Sequence, residues 1–145
     1  MTEIIENQER RFQIFGPPRY VVDSWAFAKA FGGAPLLVTL VSFWTLVGLF
    51  APFFGGLQYV LVGLPVSIWG VGRIKPGFVA YGSLGVLANA VATLAILGWL
   101  ALNGKPLEPA LTLFGILGSL FAFLWAGTFA VLYRNMHRGF RPLLR

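Results

Sequence analysis

The side chains able to do acid–base, metal or nucleophilic chemistry are few and scattered along this chain. One histidine, His137, sits between Arg134 and Arg138, just past the last apolar run. A haem with two axial histidines is excluded by that count, and His137 reads as an interfacial, solvated or lipid-facing residue. The five acids are Glu3, Glu6, Glu9, Asp23 and Glu108. None is placed to share one bond with another titratable group, as general acid–base work requires. Metal hydrolysis needs several His, Cys or carboxylate ligands together, and there is no cysteine. Ser42, Ser67, Ser83 and Ser119 lack an adjacent base to activate them. The expectation is a protein that is not an enzyme, with no metal and no obligatory cofactor.

Polar groups inside the apolar runs are equally sparse. Tyr59 is the one ionisable side chain between Gly32 and Gly72. From Gly77 to Leu102 the strongly polar group is Asn89, and from Pro109 to Ala130 there are Thr112, Ser119 and Thr128. Ion and proton pathways are normally marked by intramembrane charge, which these runs lack. A bare amide in hydrocarbon costs several kcal/mol, so Asn89 is expected to bond across a helix interface.

The elements that position these groups follow from composition. Of 145 residues, 57% are hydrophobic and only 11% charged, and the mean hydropathy is +0.77. Soluble domains carry about 25% charged residues, so lipid is the expected solvent. The fold class is an all-α integral membrane protein. Four transmembrane helices are expected, at about 35–52, 57–72, 78–102 and 109–133, with Gly55-Gly56 as a tight turn in the first hairpin. They form a domain of residues 32–133, between a segment of residues 1–31 and a basic tail of residues 134–145. The start, MTEIIENQERR, is acidic and amphipathic and so unlike a cleavable signal peptide.

Residues 2–15 read as an amphipathic helix with Ile4, Ile5, Phe12 and Phe15 on one face and Glu3, Glu6 and Arg10 on the other. Its apolar face is the expected partner contact. Residues 19–31 read as an interfacial helix feeding the first span, with Trp25 and Tyr20 suited to the headgroup zone.

Two helix faces carry small residues. Gly82, Gly85, Asn89 and Ala92 share a stripe in the third span. Gly115, Gly118, Ser119, Ala122 and Ala126 share one in the fourth, opposite Leu117, Leu120, Leu124 and Val131. Small residues at such spacing let backbones approach closely, so the two stripes are expected to be helix-packing faces and the leucine side to face lipid. The partner of the fourth span is the chain's own third span or another subunit.

Charge suggests orientation. With four spans, ten of the eleven Lys and Arg residues fall on one side, and Lys105 alone lies opposite. The positive-inside rule then puts both termini in the cytoplasm, in a bacterial inner or organellar membrane. Arg134, Arg138, Arg141 and Arg145 are expected to meet lipid headgroups. The basic residues sit at the edges of apolar runs rather than along one binding face, so no nucleic acid is expected. The function these features suggest is that of a non-catalytic accessory subunit or assembly factor, with membrane lipids and other membrane subunits as partners. Two alternatives are a small oligomeric channel or transporter, lined by groups such as Asn89 and Ser119, and a lipid- or pigment-binding protein whose aromatics stack on a flat ring.

Overall fold

The computed structural model describes residues 22–106 and 109–137, and in that part the chain is helical with no strand. Helix α1 spans Ser24–Val41. It begins there because Asp23, in extended backbone, accepts the free N–H groups of Trp25 and Ala26 on Oδ1, both at 3.0 Å. A serine–threonine turn ends it. The Ser42 hydroxyl donates to the Val38 carbonyl at 2.7 Å, and the Thr45 hydroxyl donates to the Ser42 carbonyl at 2.8 Å. Thr45 then caps helix α2, Leu46–Gln58, by accepting from the Gly48 N–H. Gly48 is required at this corner because a Cβ would collide with the Ser42 carbonyl and hydroxyl oxygens.

Helix continues without a break from α2 through a π-helical turn, Tyr59–Gly63, into α3, Leu64–Val71. Pro65 accounts for the wider turn. Its ring cannot coexist with an ordinary bond to the carbonyl four residues back, and the Leu64 N–H reaches five residues back to Tyr59. After a bend holding Arg73 and Lys75, α4 runs Phe78–Leu102 and ends on Gly104 in left-handed backbone (φ 62°). Helix α5 spans Pro109–Met136.

These boundaries correct the expected first hairpin. Its turn lies at residues 42–45, and Gly55 and Gly56 are inside helix α2. The first span therefore begins at Ser24, and the boundary expected between residues 31 and 32 falls inside α1. Glycine pairs break helices in water, where freed backbone groups find solvent. In hydrocarbon there is nothing else to bond them, so the helix persists. The structure uses Gly55 as a packing site: a Cβ there would lie 3.2 Å from the Trp125 indole.

Helix α5 is the hub of the bundle, packed by α4 between Gly115 and Gly127 and, toward its C-terminal end, by α1. One core cluster gathers Phe27, Ala30, Val71, Tyr81, Phe129 and Tyr133. A second joins Val38, Ala51, Phe121 and Trp125. Leu124 packs against the second cluster, so that part of the leucine side faces protein, whereas Leu120 is 54% exposed.

Three helical segments, Ser24–Val41, Phe78–Leu102 and Gly115–Met136, are long and apolar enough to cross a membrane. Around them Leu36 is 74% and Trp44 91% exposed, with Leu40, Leu57, Leu61 and Leu94 similarly bare. An apolar surface this extensive belongs in lipid, and the chain is a membrane protein by this measure.

Candidate functional site at the centre of the bundle

In the middle of the bundle, consecutive residues of the Leu46–Val71 rod reach in two directions. Residues 100° apart on a helix face different neighbours, and Gln58 and Tyr59 use that angle. Gln58 turns to α4, where its Nε2 donates to Asn89 Oδ1 at 2.8 Å. Tyr59 turns to α1, where its hydroxyl donates to the Phe31 carbonyl at 3.2 Å.

The second bond has a covalent cause. Pro35 lies four residues beyond Phe31 in α1 and has no N–H to give it. The Phe31 carbonyl would be an orphan acceptor in hydrocarbon, and the Tyr59 hydroxyl supplies the missing donor. The rings follow: Tyr59 stacks on Phe31 with centroids 4.4 Å apart and meets Trp125 edge-on at 5.2 Å.

Asn89 carries the network onward into α5. Its Nδ2 donates to Ser119 Oγ at 3.1 Å and lies 3.4 Å from the Gly115 carbonyl. The Ser119 hydroxyl in turn donates to the same carbonyl at 2.7 Å. Asn89 is 7% exposed. Its amide therefore bridges three helices, accepting from one and donating to another.

The small-residue stripes meet beside this network. A Cβ on Gly85 would collide with the Ala122 carbonyl and lie 2.8 Å from the Ala126 methyl. On Gly82 it would lie 2.7 Å from the Phe123 ring, and on Gly118 3.1 Å from Asn89 Oδ1. Gly115 faces Thr93, and Ala92 is half-buried on α4. The Gly115–Ala126 stripe of α5 thus meets α4 of the same chain. The Trp125 indole N–H, buried in the cluster of Val38, Ala51 and Phe121, has no hydrogen-bond partner among the described residues.

Comparison with protein-family models, curated proteins and solved structures gives no match.

The remaining sequence-predicted sites separate cleanly. Arg134 is exposed at the end of α5. Ile4, Ile5, Phe12, Phe15, Arg138, Arg141 and Arg145 lie outside the described residues. No group of three or more His, Cys, Asp or Glu capable of holding a metal occurs among the described residues. Gln58 is the functional residue that sequence reasoning missed. Its signal was available, for it is the one amide between Gly32 and Gly72.

Proposed function

We propose that the chain crosses the membrane four times with both termini in the cytoplasm, and serves as a non-catalytic accessory subunit or assembly factor of a larger membrane complex. The observation that carries this reading is the closed central network. Gln58, Asn89 and Ser119 bond one another and the backbone, which favours a scaffold over a polar path.

Helix geometry supports the fourth crossing. The unbroken rod from Leu46 to Val71 would be about 39 Å long at 1.5 Å per residue, against a hydrocarbon thickness of about 30 Å. No charged residue interrupts it. Orientation rests on the ends of the rods. The Asp23 N–H meets the Tyr133 hydroxyl at 3.1 Å, which sets the start of α1 beside the end of α5. The Tyr81 hydroxyl donates to the Ile74 carbonyl in the bend between α3 and α4, and Tyr81 shares the core cluster of Phe129 and Tyr133. Lys29, Arg73, Lys75 and Arg134 therefore share one end and Lys105 lies at the other, as expected if the first end is cytoplasmic. Reporters fused at residues 75 and 104 should read inside and outside respectively. An outside signal at residue 75 removes the four-span reading.

Partner recognition is assigned to the apolar face of residues 2–15, Ile4, Ile5, Phe12 and Phe15, because apolar packing in lipid discriminates weakly between partners. Deleting residues 2–15 should leave insertion and thermal stability unchanged while co-purifying membrane subunits are lost from mild-detergent extracts. Recovery of the same subunits in the same yield rules out this contact.

A further inference from the structure

The end of the bundle proposed above as cytoplasmic has a recess between the first turns of α1 and the last turn of α5, of about 290 Å³, lined by Asp23, Trp25, Lys29 and Asn135 among others. Two of these groups carry opposite charge, and no ion pair joins them. Lys29 instead sets its Nζ over the Trp25 ring, 4.7 Å from the centroid. Asp23 uses Oδ1 to cap α1, and Oδ2 makes no bond among the described residues. An ammonium and a carboxylate sharing one recess without pairing are complementary to a ligand that carries both charges.

The surroundings narrow that ligand. Trp25 is 70% exposed and Lys29 is exposed, one turn apart at the edge of a span, the level at which tryptophans and snorkelling lysines meet lipid headgroups. We propose that this recess binds the headgroup of a zwitterionic phospholipid with a primary ammonium, the lipid phosphate on Lys29 and its ammonium on Asp23. A primary ammonium is favoured over a quaternary one for two reasons. Lys29 already covers the Trp25 ring, the surface a quaternary ammonium would use. The acceptor that remains, Asp23 Oδ2, rewards N–H donors.

Among the described residues Asp23 is the one carboxylate, and Arg134 beside Asn135 adds positive charge at the same end. Without the Asp23 contribution, this surface would prefer anionic lipid. The preference for a zwitterion therefore rests on one side chain, which makes it testable.

The experiment uses the full chain in mild detergent, with dioctanoyl phosphatidylethanolamine and dioctanoyl phosphatidylglycerol as probes. Retention in native mass spectrometry and the thermal unfolding midpoint are the readouts. The wild-type protein should bind the ethanolamine lipid more tightly. Asp23→Asn keeps the helix cap, since Asn caps as well as Asp, and should weaken ethanolamine-lipid binding about tenfold, reversing the preference. Lys29→Gln should weaken both lipids. Equal binding of the two lipids by the wild type, or an unchanged preference in Asp23→Asn, overturns the proposal. So does ethanolamine-lipid binding that appears only after residues 2–15 are deleted, because the recess would then belong to the chain's own N-terminal segment.

Discussion

The pair α4–α5 and the rod Leu46–Val71 solve the same problem in different ways. Both must hold helices together in a solvent as apolar as their own side chains. The pair does it by backbone approach: Gly85 sits on the Ala122 carbonyl, and a Cβ on Gly127 would lie 3.0 Å from the Phe78 carbonyl. The rod touches its neighbours mainly through side chains that act as spacers and clips. Tyr59 stacks between Phe31 and Trp125, and Gln58 reaches Asn89. Both regions are rich in glycine, so glycine content alone does not say how a membrane helix packs. What matters is whether a Cβ would meet another backbone.

A matched pair of substitutions breaks that comparison most directly. Gly85→Ala places a methyl against the Ala122 carbonyl and should destabilise the protein by about 1–3 kcal/mol. Gly56→Ala, where nothing lies within 4 Å of the added Cβ, should be neutral or stabilising by up to about 1 kcal/mol through helix propensity. Denaturant titration of helicity in detergent micelles reads both. Equal losses would show that the two regions pack alike.

A smaller effect sharpens the role of the clip. In a double-mutant cycle, Gln58→Ala and Asn89→Ala should couple by about 0.6 kcal/mol, the average for membrane hydrogen bonds, with a ceiling near 1.7 kcal/mol. Additive losses in the same titration would mean that the 2.8 Å bond does not contribute to holding the rod against α4.

Much of this arrangement could be read from residue types because lipid leaves few options. The helical class and the two small-residue stripes follow from apolar length and small-residue spacing. Spacing left the partner of the Gly115–Ala126 stripe open between the chain's own helix and another subunit, and Gly85 against Ala122 comes from the fold. The first hairpin was illegible for a physical reason. Gly55-Gly56 looks like a turn by aqueous rules, whereas the true corner is made by hydroxyl groups that bond their own backbone. Ser42 and Thr45 were visible, but their turn-forming bonds compete only weakly with other readings. The Tyr59–Phe31 bond needed two distant facts at once: the proline that leaves a carbonyl bare, and a fold that brings a hydroxyl to it.

That corner also bears on how the chain enters the bilayer. Ser42, Phe43, Trp44 and Thr45 carry no charge. Their hydroxyls, and the Trp44 indole N–H that donates to the Val41 carbonyl at 3.0 Å, are bonded within the turn or to the adjoining helix. Carrying a lysine or arginine through the middle of a membrane costs about 2.5–3.5 kcal/mol on the insertion scale, and this loop has none to carry. In a four-span protein, α1 and the following rod can therefore insert together as a preformed hairpin. In the proposed arrangement the basic residues at their other ends would stay on the side of synthesis.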